Sequence, residues 1–415
     1  MHCKNSTRAT LTIPQENAQS TRGYVWCSSR NWARLLFSVL VVAFCVTSQA
    51  QKNPGNITGE GADPSNAKIV GARVMAVEKS SRTSDLDLHS LLLPVPVTAK
   101  HAEKGYFIWD GSIVRGNDGK YHMYYSRWSV KDTFYAWVTR SEVVHAVGNS
   151  PFGPFVFHDV ALPPRGGTYW DATATHNPTV KRFGKKYYLY YMGDRGNGIL
   201  TDGNTNIAQH STMRIGVAVA DNPNGPWRRF DKPVIDVSTN EDAPDTLCMN
   251  NSTVIQSPTG SYMMIYKASD KEGHVANLLA TADSPVGPFR KELKDLFPIR
   301  GVRFPFEDPF FWYDVHRKMY FAVLKDMKGY TVHTGKSTLV LFESKDARHW
   351  SLASQPIVSE LKLTWADGRH EPVRRMERPQ LLFDKKGGAI ALTVAILDMQ
   401  GNSWNVTIPL KKAVH

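Results

Sequence analysis

The 415-residue chain has only four cysteines, Cys3, Cys27, Cys45 and Cys248. Three lie in the first fifty residues, so no disulfide framework braces the rest, and Cys248 reads as a small buried hydrophobe. The His/Cys spacings of zinc sites, the phosphate-binding glycine loop and the dinucleotide fingerprint are all missing, which removes the common zinc and nucleotide enzymes. The net charge of +12 comes with no Lys/Arg block and no nucleic-acid motif, so nucleic acid is excluded as a partner. No long amphipathic helical pattern is present. The main apolar run, Leu35–Val46, is too short to span a bilayer comfortably.

That run follows Arg30 and Arg34 and precedes the small residues of Ser48-Gln49-Ala50. Residues 1–50 therefore read as a cleaved secretory signal, with a signal anchor as the alternative. Residues 51–68 are polar and rich in Gly, Pro and Asn, a flexible leader. Residues 69–415 are left for one large domain, secreted or periplasmic and off the membrane once the signal is removed. The first fifty residues hold Lys4, Arg8, Arg22, Arg30 and Arg34 against Glu16, a net +4, so the remainder carries 12 − 4 = +8. That excess suits an acidic polysaccharide, or is a generically basic surface. Hydrophobic residues at 42% supply a core, and aromatics at 11% fit either a β-rich fold or sugar stacking.

One pattern recurs five times: a short apolar strand, a Gly/Asp/Lys turn, then a strand rich in Tyr in most copies. The copies are DGSIVRGNDGKYHMYYS from Asp110, NPTVKRFGKKYYLYYM from Asn177, NSTVIQSPTGSYMMIYK from Asn251, DPFFWYDVHRKMYFAVL from Asp308 and a weaker RPQLLFDKKGGAIALTVAI from Arg378. Each reads as a β-hairpin. A second element follows most copies, an apolar strand and a turn: Ser150-Pro151-Phe152-Gly153-Pro154-Phe155, Asn222-Pro223-Asn224-Gly225-Pro226-Trp227, Ser284-Pro285-Val286-Gly287-Pro288-Phe289 and the looser Ser344-Lys345-Asp346. The matched Tyr121, Tyr187, Tyr262 and Tyr320 are 66, 75 and 58 residues apart, long for a propeller repeat and so implying long loops. These units predict an all-β fold, a five-bladed β-propeller of four-stranded antiparallel blades.

In a propeller the first strand of each blade lines the axis. Residues at or just before each repeat therefore converge: Trp109-Asp110, Trp170-Asp171 with His176-Asn177, Asp245 with Asn250-Asn251, Glu307-Asp308 and Glu377-Arg378. Carboxylates gathered on one axis must hold a metal, pair with Arg or share protons.

The layout resembles the five-bladed propeller glycoside hydrolases, the clan of families 43, 32 and 117, over roughly residues 100–410. The hairpin repeat, the Pro-x-Gly-Pro turns and the acids opening blades one and four carry the resemblance. FIWDGSIV followed by GKYHMYYSRW is most similar to family 117, whose members release 3,6-anhydro-galactose from agar oligosaccharides. The resemblance implies an inverting, exo-acting hydrolase of a complex, anionic or marine galactan-type polysaccharide. It implies Asp110 as general base, Asp245 as the group tuning the acid and Glu307 as general acid, with Asp242 and Asp308 as neighbours that compete for the last two roles. Such chemistry needs two carboxyls across the scissile bond, one kept protonated. Family 117 has a His beside the fourth-blade Glu where this chain has Phe306, so His176 or His370 also stands as a proton donor.

Substrate contacts fall on Trp109, Asp171, His176, Asn177, Asn251, Arg303 and Arg378, with Trp128 and Trp170 as further stacking rings or as blade core. No cofactor is required. A divalent cation in the central channel, held with His176 or His370, is compatible with the family 43 resemblance. A homodimer is compatible too. The competing functions are a non-catalytic carbohydrate-binding propeller and a glycoside phosphorylase, the latter opposed by Asp110.

Overall fold

The computed structural model describes residues 86–199 and 207–412. The expected signal and leader segments, residues 1–68, lie outside the described residues. No helix among those described is long and apolar enough to cross a membrane. Strands dominate, and they form five sheets.

Each sheet is one blade, wound outward from the axis. Blade one runs Tyr106–Arg115, Tyr121–Ser129, Glu142–Gly148, Val156–Leu162, and blade two Ala174–Phe183, Lys186–Asp194, Arg214–Ala220, Arg228–Arg229. Blade three runs Cys248–Gln256, Tyr262–Ser269, Val275–Ala282, Arg290–Glu292, and blade four Phe306–Asp314, Met319–Asp326, Thr338–Ser344, Ser351–Ser359. Blade five holds His370–Phe383, Ala389–Asp398 and Ser403–Pro409. Its outer strand comes from the other end of the domain: Lys100–His101 pairs antiparallel with Ser403–Pro409, Lys100 opposite Val406. The segment before it, including the Leu88–Leu91 helical turn, extends the clasp through Leu93 N to Pro409 O at 2.9 Å and Lys411 N to Leu91 O at 2.8 Å. The last strand of blade five is therefore encoded before the first blade.

Apolar side chains fill the five gaps between neighbouring blades. Tyr124, Leu189 and Ala218 pack between blades one and two. Tyr190, Val254 and Met264 pack between two and three, and Ile265, Phe311 and Phe342 between three and four. Phe321, Trp404 and Val406 pack between four and five, and Ile108, Met123 and Leu382 close the ring between one and five. Each blade thus buries both faces, as strands apolar on both sides require.

The two repeated sequence elements are physically joined. Tyr124 of blade one donates its hydroxyl to the Pro223 carbonyl in the turn of blade two, and Tyr190 of blade two donates to Pro285 O in the turn of blade three at 2.6 Å. Where blade three has Ile265 at the matching place, the next turn has Lys345 and no proline. Trp170 belongs to this packing and not to a sugar platform. A Cβ on Gly216 would come within 2.3 Å of its ring, so the third strand of blade two lies directly against it.

Trp404→Ala removes a fully buried ring beside the clasp and is expected to cost about 3–5 kcal/mol. Deleting residues 86–101 leaves the Ser403–Pro409 edge unpaired and is expected to lower the unfolding midpoint by at least as much. Urea unfolding followed by tryptophan fluorescence measures both.

Candidate active site

Every first strand carries a β-bulge at the same depth, and at each bulge one non-glycine residue is left-handed. These are Asp110 (φ 62°), Asn177 (φ 53°), Asn251 (φ 49°), Asp308 (φ 59°) and Arg378 (φ 54°). Asp and Asn tolerate this conformation better than other side chains, and four of the five are of that kind. The bulge turns each side chain inward, and the five form a closed ring across the axis. Arg378 Nε lies 2.9 Å from Asp110 Oδ1, and its backbone N–H donates to Asp308 Oδ2 at 3.0 Å. Asn251 touches Asp308 Oδ1, Asn177 touches Asn251, and Asn177 N lies 3.3 Å from Asp110 Oδ2.

Four of the ring residues, Asn177, Asn251, Asp308 and Arg378, line the floor of an open cavity, with Asp110 just beneath them. One wall is aromatic, from Trp109, Trp128, Phe134 and Trp137. His176 stacks on Trp137, with centroids 4.7 Å apart, and its Nε2 is 3.1 Å from Asp110 Oδ2 while Nδ1 meets Ser141 Oγ at 2.7 Å. Burial lowers the His176 imidazole to about 4, so it is neutral at physiological pH. The rest of the lining is ionic, with Lys267, Glu307, Asp308 and Glu377, and Arg375 lies over the Phe134 ring at 5.3 Å. Asn250 Oδ1 and Arg378 Nη2 are buried at this lining without a hydrogen-bond partner, so each is ready for a ligand hydroxyl.

Glu307 sits between two ammonium groups, Lys267 Nζ and Lys325 Nζ, each 2.9 Å away. Burial opposes its charge, yet the two lysines win and hold the carboxyl far below the usual carboxylate range. A proton donor needs the reverse, so the expected acid role of Glu307 is not what this environment supports. The adjacent Asp308 behaves oppositely. Burial and the neighbouring Glu307 charge push its carboxyl up to about 6 against the pull of Arg378. Lys325 Nζ also contacts Glu377, so an ammonium already bridges the carboxylates of blades four and five where a channel cation would bind. A divalent ion does not fit this set without displacing Lys325.

The structure places the remaining expected residues as follows. Asp110 is fully buried just beneath the floor, enclosed by Ser126 Oγ at 2.9 Å, His176, Asn177 and Arg378. Trp109, His176, Asn177, Asn251, Glu307 and Arg378 share the cavity. Asp245 does not reach it, being buried in an ion pair with Lys291 Nζ at 2.7 Å. Asp171 is likewise buried away from it, clamped by Arg165 Nε at 2.5 Å and Arg229 Nη1 at 3.1 Å, with Tyr191 OH donating at 2.8 Å. Arg303 is exposed and donates to Glu272 O at 3.1 Å, and His370 is exposed at the start of the fifth-blade inner strand, near Thr364 Oγ1. Lys267, Lys325, Trp137 and His210 escaped sequence reading because they come from second strands and loops, which the inner-strand phase does not index. Lys267 and Lys325 do end two matched Tyr-rich strands, and that shared place was the available signal.

This fold is shared with solved glycoside hydrolases. A family 117 glycoside hydrolase of the marine bacterium Zobellia galactanivorans superposes with a TM-score of 0.54 and 18% identity, over 77% of this chain and 89% of its own. An endo-arabinase of Bacteroides thetaiotaomicron gives 0.52 and 11%, over 77% and 98%. An exo-1,5-α-L-arabinanase from a bovine ruminal metagenomic library gives 0.50 and 14%, over 76% and 99%. At these identities the likeness establishes the five-bladed architecture. No protein-family model matches the chain, and no curated protein matches it in sequence.

Lys325→Met leaves Glu307 and Glu377 without their shared ammonium, and is expected to cost about 3–5 kcal/mol in urea unfolding. The pH dependence of stability isolates Asp308. Its carboxyl is higher folded, at about 6, than in an unfolded chain, about 3.9. Its contribution is full below about pH 4 and is lost as pH rises through about 6. Asp308→Asn is therefore expected to gain about 3 kcal/mol relative to the parent between those limits, with no further gain above them.

Proposed function

We propose that this protein is a glycoside hydrolase that takes one end of an oligosaccharide into the axial cavity. The observation that carries the reading is the meeting, in one cavity, of the partly exposed rings Phe134 and Trp137 with the blade-four carboxyl of Asp308, the blade-one carboxyl of Asp110 lying just beneath the floor. Rings bind a sugar face, and inverting hydrolysis needs two carboxyls in unlike protonation states on either side of the bond. Asp110 of blade one is the proton acceptor in this reading, as expected from the sequence. The donor moves from Glu307 to its neighbour Asp308, whose carboxyl is the one held near neutrality. Glu307 and Glu377, fixed by Lys325, become groups that bind sugar hydroxyls.

The closed floor supports exo action, since the ring blocks the axis below the cavity. With Asp308 holding its proton, the lining cations Lys267, Arg375 and Arg378 face the two carboxylates Glu307 and Glu377, a small positive excess that accepts a neutral or an anionic terminal sugar. The chain acts in this reading without a metal.

A non-catalytic carbohydrate-binding propeller is favoured by one observation, the complete enclosure of Asp110. A panel of algal and plant oligosaccharides separates the two. Hydrolysis with release of the inverted anomer by NMR is expected. Asp110→Asn and Asp308→Asn are each expected to lower kcat by about 10²–10⁴-fold with folding retained, and Glu307→Gln to raise KM more than it lowers kcat. Binding of a sugar with no cleavage would establish the binding reading, and a retained anomer would remove the inverting assignment.

A further inference from the structure

The cavity floor sets a hydrogen-bond parity problem. From blade one to blade four its order is carboxyl, amide, amide, carboxyl: Asp110, Asn177, Asn251, Asp308. The Asn177 amide meets that of Asn251 on one side and Asp110 on the other, where its nitrogen, turned that way, stands 3.0 Å from Oδ2 and 3.1 Å from Oδ1. The Asn251 amide nitrogen donates to Asp308 Oδ1, so as placed both amides point toward Asp308, and turning Asn177 toward Asp110 requires Asn251 to turn with it. Each amide has a donating end and an accepting end. Two in a row must point the same way, or like ends face each other.

Only two arrangements satisfy the row. With both N–H ends toward Asp308, the Asn177 carbonyl faces Asp110, and Asp110 must supply an O–H. With both N–H ends toward Asp110, the Asn251 carbonyl faces Asp308, and Asp308 must supply it. With both carboxyls ionised, one buried pair of acceptors is left facing without a proton, which is costly. Charge balance agrees, because Arg378 is the one cation between them, with Nε 2.9 Å from Asp110 Oδ1 and Nη1 3.6 Å from Asp308 Oδ1.

We propose that Asp110, Asn177, Asn251 and Asp308 form a relay holding one shared proton, resting on Asp308 when Asp110 is ionised and on Asp110 when Asp308 is ionised, with the two amides turning over together. The resting end is Asp308. Asp110 already accepts hydrogen bonds from Ser126 Oγ and the Asn177 backbone N–H, and it has the Arg378 guanidinium beside it, with Nε 2.9 Å away, and His176 Nε2 at 3.1 Å. Asp308 accepts the Arg378 backbone N–H and, as the amides are placed, Asn251 Nδ2–H, but it stands beside the ionised Glu307, with Lys267 and Lys325 already spent on that neighbour and on Glu377. Its raised carboxyl agrees with this placement.

The relay rests on the glycosidase reading for its use. In one turnover a water O–H bond breaks and its proton goes to Asp110, while the water oxygen bonds the anomeric carbon. The glycosidic C–O bond breaks, and its oxygen takes the proton of Asp308. The amides reverse, and the floor is left with its proton at the other end. Release of one proton from Asp110 and uptake of one by Asp308 restores it. The two carboxyls are then never ionised together, which keeps acid and base matched through the cycle.

The test needs no substrate. Aspartate-selective ¹³C labelling lets NMR follow the Asp308 carboxyl, and side-chain ¹⁵N signals follow Asn177 and Asn251. In the parent protein both amide signals are expected to move with the same midpoint as Asp308. In Asp110→Asn the Asp308 midpoint is expected to fall by at least about one unit, because the residue at 110 can then donate. In the Asn251→Ala background that fall is expected to shrink to less than half. An equal fall with and without Asn251 would mean the coupling is through space, and the relay would be refuted. If the variants do not fold, amide signals in the parent that stay fixed while Asp308 titrates overturn it equally. Neither result depends on whether a sugar is cleaved, so loss of the relay and loss of the hydrolase reading are separable outcomes.

Discussion

Five left-handed bulges, one per blade at one depth, are the constraint on which the rest of this molecule depends. A bulge places two residues opposite one and swings a side chain out of the sheet's alternation. Here it swings them toward a common axis. Their mutual contacts then tie blade to blade at the centre, where the sheets are closest and apolar packing has least room. The same residues supply the floor of the cavity. Stability at the axis and chemistry at the site are therefore one set of hydrogen bonds, and Arg378 is the piece that lets two buried carboxyls coexist in it.

The electrostatics of the cavity follow from an imbalance between two neighbours in sequence. Glu307 faces two ammonium groups, and Asp308, the next residue, faces mainly Glu307 and a shared guanidinium. Consecutive residues on a strand normally point to opposite faces. The bulge brings both toward the axis, and so one is driven strongly acidic and the other toward neutrality. Lys325 adds a second effect. By occupying the gap between Glu307 and Glu377 it supplies, from the chain itself, the positive charge that an open carboxylate cluster would otherwise take from solution.

Much of the fold was legible because the repeats are driven by contacts between blades. The tyrosine in the second strand and the proline turn recur in step because one bonds the other across a blade boundary, as Tyr190 does to Pro285. Phase along the repeat also located the floor, since the residue opening each copy is the bulge residue. What phase could not supply was direction and partnership. Asp245 and Asp171 lie just ahead of the third and second copies, yet each is held by nearby basic side chains, Lys291 for one and Arg165 and Arg229 for the other, before it reaches the axis. The protonation of Glu307 was likewise invisible, because it is set by Lys267 and Lys325, which belong to two different blades.

The clasp of blade five has a consequence for how the protein is made. Lys100 finds its partner at Val406, three hundred or so residues further along. A chain that emerges amino end first presents its half of the clasp early and its other half last. During that interval four blades can stack in order, but the ring stays open and the edge near Lys100 stays bare. A bare edge is a hazard for mispairing with other chains. The two-residue strand, Lys100–His101, with Lys100 exposed and charged, is about as short as a ladder can be, and so offers little for a stranger to hold while it waits for Ser403–Pro409.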